Sequence, residues 1–185
     1  WVSIGDAENS FNGVIYGNGY KISGLTAPLV ANNNGGISHI EFEGDVNGAG
    51  MVAGINNSYI ANCKVSGSVT GDNAGGVAGV NNGIVKSCVV DATVNGANVG
   101  AVAGVNTTET VETSEEFEVT EEKGNVTTET VTTTTTNIIG TVSGNYYAEG
   151  MNVVGGGQLA DTDVNYTYTD INDKAQFDNL DGNWY

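Results

Sequence analysis

Few residues in this chain could do chemistry. Asp161, Asp163, Asp170 and Asp173 fall within thirteen residues near the C-terminus. Carboxylates at that density are hard oxygen donors, and calcium takes about six to eight oxygens. Their spacing matches no EF-hand loop, and Asp is also an ordinary turn residue. Calcium is therefore the one cofactor left open, with those four carboxylates as its candidate ligands. Cys63 and Cys88 are the only cysteines and His39 the only histidine. A thiol nucleophile needs a base within hydrogen-bond reach. His39 directly precedes the apolar Ile40, which assigns it to the outer, solvated side of a strand, away from both cysteines. Glu41, Glu43, Asp45, Asp72 and Asp91 could in principle supply the carboxylate pair of a glycosidase, but they are scattered with no aromatic platform between them. No catalytic residue is assigned.

The charge balance narrows the partners. Twenty-two carboxylates face five lysines and no arginine, for a formal net charge of −17. Phosphate binding needs clustered Lys and Arg, so nucleic acid is excluded as a partner, and docking on an anionic membrane surface is disfavoured in the same way. A lyase acting on uronates would lack the cationic groups to neutralise its substrate. No apolar run approaches the ~20 residues of a spanning helix, so no direct membrane insertion is expected. The chain opens at Trp1 without a signal-peptide pattern, as a trimmed or mature fragment would.

Self-comparison points to the elements that must position these residues. Met51-Val-Ala-Gly-Ile-Asn-Asn57 returns as Gly76-Val-Ala-Gly-Val-Asn-Asn82 and as Ala101-Val-Ala-Gly-Val-Asn106, each time 25 residues on. Ile60 and Val85, Cys63 and Cys88, Val65 and Val90, and Val69 and Val94 keep the same offset, and an earlier copy carries Ile37, Ile40, Phe42 and Val46 23 residues before their counterparts. Within a copy the apolar residues alternate with polar ones, which is the period of a half-buried strand. Gly and Asn gather between the strands, where corners need left-handed backbone. Strands of three to five residues broken by such corners describe an all-β, parallel β-solenoid of the right-handed β-helix type, with rungs of 23–25 residues. The expected division is one domain over 1–185: an N-terminal cap or first rung at 1–27, regular rungs at 28–106, an insertion at 107–137, a closing rung at 138–157 and a C-terminal cap at 158–185.

The same register brings Cys63 over Cys88, with Cα atoms ~5 Å apart and within disulfide reach. A buried thiol also serves as a small hydrophobe, and a stacked pair of free thiols is the favoured state. Asn33, Asn56, Asn81 and Asn106 align at one corner, and Asn34, Asn57 and Asn82 beside them. Stacked amides there can hydrogen-bond along the coil axis. Asn56, Asn106, Asn125 and Asn165 also head glycosylation triplets, which matter only on a eukaryotic secretory route.

The insertion holds 13 Thr and eight Glu within residues 107–136. Thr and Val favour extended backbone, and Glu122-Lys-Gly-Asn125 is a turn signal. A projecting β-hairpin is expected, a binding arm with Val111, Phe117, Val119, Val126 and Val131 as its apolar positions. Such an arm could grip a partner, or a second copy, by strand pairing.

The pattern carried by Gly76-Val-Ala-Gly-Val-Asn81 and by Ile60-Ala-Asn-Cys-Lys-Val-Ser-Gly-Ser-Val69 resembles the GLUG repeat of bacterial cell-surface, adhesin-like proteins. Residues 11–25 are similar to the segment that precedes those repeats. The resemblance implies export to the bacterial surface or beyond, and adhesion or scaffolding there, with no catalytic motif to carry over. The expectation is a non-enzymatic module that binds a host or matrix protein or a glycan outside the cell, through the solenoid face, the arm or both. A structural spacer or assembly unit of a larger surface protein is the alternative, and a polysaccharide-degrading β-helix enzyme is a third.

Overall fold

The computed structural model describes residues 1–120, 126–178 and 180, with side chains at all of these except 116–120, 126–129 and 131. The chain divides into two compact units, Trp1–Thr107 with Ile138–Tyr185, and Thr108–Asn137. The first is a parallel β-solenoid wound from three sheets. One sheet stacks Val14–Tyr16, Gly36–Ser38, Tyr59–Ala61, Ile84–Lys86 and Thr141–Ser143; a second stacks Val30–Asn33, Ala53–Asn56, Ala78–Asn81, Ala103–Asn106 and Val154–Gly157. The third and longest runs from Lys21–Leu25 through Glu41–Asn47, Lys64–Gly75, Val89–Gly100 and Tyr146–Ala148 to Tyr166–Tyr168. Four turns separate the first strand of each five-stranded sheet from the last, at about 25 residues per regular turn.

The sequence repeat and the spatial register coincide. Ile37, Ile60, Val85 and Val142 stack as one column, and Phe42, Val65 and Val90 as another, all at most 1% exposed. Inward positions are filled by β-branched and small residues because each must meet its own equivalents above and below at roughly 4.8 Å. The Asn33, Asn56, Asn81 and Asn106 side chains are fully buried and chained: each Nδ2 donates to the next Oδ1 at 2.8, 2.8 and 2.9 Å, and Asn106 Nδ2 closes the series on the Gly140 carbonyl. A parallel outer series joins Asn82 to Asn57 and Asn57 to Asn34. Buried in this way, Asn56 and Asn106 cannot carry a glycan in the folded chain.

Two expectations need correction. The regular strands of the third sheet are not three to five residues long: Lys64–Gly75 and Val89–Gly100 run for 12 residues each, pairing across a bend with only Asp72 and Ala97 out of the register. His39 does not stand on the outer side of a strand. It occupies a corner with φ +59°, the place filled on later turns by Asn62, Ser87 and Gly144, all left-handed. The left-handed backbone takes the residue out of strand alternation, so the ring is partly buried against Tyr16, with centroids 4.5 Å apart. The segment after residue 158, expected as a cap, also contributes a strand. Tyr166–Tyr168 adds a sixth strand in register with Tyr146–Ala148, and Asn165 repeats the role of Asn145 below it. A 3-10 turn, Lys174–Phe177, then lays Phe177 against Tyr146 and Tyr168, sealing a second aromatic core.

The second unit pairs Thr108–Thr120 with Val126–Ile138. Thr113 bonds to the Thr133 carbonyl and Ser114 to Thr132, so partner numbers fall as the other strand's rise and the pair is antiparallel. The turn expected at Glu122–Asn125 lies outside the described residues.

Candidate binding crease

The long sheet is where polar side chains converge. Register places Glu43, Ser66 and Asp91 in one outward column, and Asp45, Ser68 and Thr93 in the next. Between them runs a column without side chains of any length: Gly44, Gly67 and Ala92. Gly67 has φ +107°, and a Cβ on it would lie 2.1 Å from the Gly44 carbonyl oxygen, so this position admits only glycine. The result is a crease along the coil axis with a backbone floor and two polar walls.

Each end of the crease opens into a hollow. One, of about 240 Å³, is lined by Gly24, Leu25, Thr26, Glu43, Gly44, Asp45 and Gly67. The other, of about 360 Å³, is lined by Asp91, Ala92, Thr93, Val94, Ala148 and Met151. Polar groups repeat along the axis at roughly 4.8 Å and across the crease at about 6.5–7 Å, the spacings of stacked strands and of alternate residues.

The walls are held from beneath and beside. Ser68 Oγ donates to Asp45 Oδ1 at 2.7 Å, and Ser66 Oγ to the Phe42 carbonyl at 3.1 Å. Lys21 pairs with Glu43, and that hydrogen bond holds the ammonium above its ordinary pKa. At the far end the Tyr168 hydroxyl donates to the Val90 carbonyl at 2.7 Å and lies 3.3 Å from Asp91 Oδ1. Burial, followed by the Asp91 charge, pushes the Tyr168 phenol well above its usual range. The tyrosine thus stays neutral beside the Asp91 carboxylate.

The carboxylates that look scattered in the sequence are partly gathered here. Glu43, Asp45 and Asp91 line the crease; Glu41 lies beside it on the same strand as Glu43, and Asp72 is exposed beyond the bend. Ser66 stands between Glu43 and Asp91, which puts these two carboxylates two rungs, or about 10 Å, apart along the axis. No comparable signal exists in one copy of the repeat. The crease is a relation between copies, visible in sequence only as the Gly44, Gly67 and Ala92 alignment.

The other candidates separate. Asp163 Oδ2 accepts from the Val142 amide, Asp170 Oδ1 from Asn172, and Asp173 caps the 3-10 turn by accepting from Ala175, while Asp161 is exposed. Asp163, Asp170 and Asp173 serve as turn and cap residues, and among the described residues no group of three or more His, Cys, Asp or Glu is placed to hold a metal ion. Cys63 and Cys88 are buried free thiols on adjacent turns, and burial raises the Cys63 pKa well above the usual thiol value. Of the arm positions, Val111 lies exposed on Thr108–Thr120. Phe117 and Val119 on that strand, and Val126 and Val131 on Val126–Ile138, have side chains outside those described.

No family model, curated protein or solved structure matches this chain. Carboxylates and hydroxyls at fixed intervals over a backbone floor can accept hydrogen bonds from an extended ligand rich in hydroxyl, amide or ammonium donors.

Proposed function

We propose that this chain is a non-enzymatic binding module of an exported bacterial surface protein, holding an extended glycan or polypeptide outside the cell along the crease of its long sheet. The observation that carries this reading is the Gly44, Gly67 and Ala92 floor between two polar walls. A floor of two glycines and an alanine lets a ligand approach the backbone, while the interior asparagine chain holds the rungs at constant spacing, so the site is preorganised and little ordering entropy is lost on binding. The resemblance to GLUG repeats supports the same reading, as does an acidic surface that favours donor-rich or cationic ligands.

The test is a screen against immobilised glycans and matrix proteins with the intact chain, with Glu43→Gln/Asp45→Asn/Asp91→Asn, and with residues 107–136 replaced by Asn-Gly. A ligand bound by the intact chain and lost by the triple variant, with the melting temperature kept, supports the crease. A ligand lost only when 107–136 is removed moves the site to the hairpin. Silence from every version favours a structural spacer, the reading that the near-identical rungs would also suit.

A further inference from the structure

We propose that the open edge of Val89–Gly100, beside Asp91, is a strand-docking site that takes an extended polypeptide segment carrying a Lys or Arg side chain. The edge lies in a notch within the coil, not at either end of it. Lys64 stands fourteen positions before Ala78, and Val89 fourteen before Ala103; Tyr146 and Val154, which pair with Val89 and Ala103, are only eight apart. The closing turn therefore takes a short cut. Tyr146 and Tyr147 pair with Val89 and Val90, and the chain then crosses to Asn152 and Val153, whose carbonyls accept from Ala101 and Val102. Among the described residues, no strand pairs with the side of residues 91–100 that faces away from Lys64–Gly75. Further turns of a coil would stack on Tyr166–Tyr168 and Val154–Gly157, the last strands of their sheets, and leave the notch open.

The backbone of the notch is oriented for pairing. Val89 donates its N–H to the Cys63 carbonyl on the preceding turn, and the register to Lys64–Gly75 runs unbroken over residues 89–96. Alternation then turns the N–H and C=O groups of Ala92, Val94 and Gly96 toward the notch, at intervals of about 6.5–7 Å. Protected edges carry Lys, Pro or a bulge; residues 89–96 have none of these. The inward side chain is also less covered than the rest of its column: Val94 is 8% exposed, where Val69 and Val46 are 0 and 2%. An added strand completes both the ladder and the burial.

The hollow of about 360 Å³ at the start of the notch sets the side-chain preference. Ala92, Val94, Ala148 and Met151 give it an apolar wall, and Asp91 and Thr93 a polar rim. That lining suits a long side chain with an apolar stem and a cationic head. Asp91 meets the neutral Tyr168 hydroxyl, and no cationic side chain lines the hollow with it. The net charge of −17 draws the same kind of partner from beyond contact range. A glycan has no strand backbone to complete the ladder, and a second copy of this chain brings 22 carboxylates against five lysines. Backbone pairing with a pocket for one side chain is a recurring mode of peptide recognition, and here it selects a basic segment of another protein. The site shares Asp91 with the crease but goes beyond it, since pairing occurs on the strand edge and not between the crease walls.

The probe is an amidated peptide of about seven residues, within the usual strand length, alternating Thr and Val with Lys at its centre. Its binding to the intact chain is followed by fluorescence anisotropy and by hydrogen exchange. The expected result is binding about tenfold or more tighter than that of the same peptide with Glu at the centre, with slower exchange of the Ala92, Val94 and Gly96 amides. Asp91→Asn removes that preference, and Glu43→Gln/Asp45→Asn keeps it. Methylating alternate backbone amides of the peptide, in either phase, gives one version that binds and one that does not, because only one phase faces the edge. No binding, equal binding of the Lys and Glu peptides, unchanged exchange at those three amides, or equal effects of the two methylation phases overturns the proposal. Binding lost with Glu43→Gln/Asp45→Asn while those amides stay unprotected also overturns it, and leaves the crease reading standing.

Discussion

Replacing Asn81 by Ala is expected to cost far more than replacing Asn82, its sequence neighbour. Asn81 is fully buried, accepts from Asn56 Nδ2 at 2.8 Å, and donates to Asn106 Oδ1 at 2.9 Å and to the Gly83 and Thr141 carbonyls at 3.1 Å each. Alanine strips the buried Asn106 Oδ1 of that donor, at about 1–3 kcal/mol. It weakens the hold on Asn56 and two carbonyls, and it leaves a void the size of a carboxamide, for a total of about 3–5 kcal/mol. Asn56 keeps some satisfaction, because its Nδ2 also reaches the Ile84 and Ser58 carbonyls at 3.2 and 3.4 Å. Asn82 makes its bonds to Asn57 and Thr107 on the water side of the corner. Solvent replaces those, so Asn82→Ala costs about 0.5–1 kcal/mol. Urea unfolding followed by circular dichroism separates the two. With a slope of about 2–3 kcal/mol/M for a chain of this size, Asn81→Ala lowers the midpoint by about 1–2.5 M and Asn82→Ala by no more than about 0.5 M. Equal shifts for the two variants would refute the claim that the inner chain, and not corner geometry alone, holds the rungs together.

Other outcomes follow from the same contacts. Gly67→Ala meets both a left-handed backbone and the Gly44 carbonyl; a loss of more than about 4 kcal/mol in urea unfolding, or no soluble protein, is expected. Cys63 and Cys88 are buried thiols, so a thiol reagent at neutral pH leaves both untouched in the native chain and titrates both in denaturant. The Tyr168 phenol is raised by burial and by Asp91. It ionises in the unfolded chain near pH 10 but not in the folded one, so its contribution is whole below about pH 10 and is lost as pH rises beyond that. Tyr168→Phe flattens this alkaline loss in thermal melts while costing about 1 kcal/mol at neutral pH through the bond to Val90.

The coil is legible in the amino-acid sequence. A period of 25 residues with two-residue alternation inside it admits stacked short strands and little else, because a rung cannot bury its apolar side without a copy above and below. The same alignment paired Cys63 with Cys88 and chained Asn33, Asn56, Asn81 and Asn106, since residues at equal phase must meet. Phase says nothing of how sharply a strand bends or which way a corner residue points, so tertiary structure alone decided those. It set His39 in a left-handed corner, made one strand of Lys64–Gly75, and carried the coil on into Tyr166–Tyr168, where the spacing shortens and the repeat is lost to inspection. It also made the crease. Glu43, Asp45 and Asp91 are separate acids along the chain and become the walls of one feature only when Gly44, Gly67 and Ala92 stack between them. The physical reason is that folding is specified by burial, which repeats, whereas an outward-facing site is specified by neighbours on different turns, which burial does not constrain.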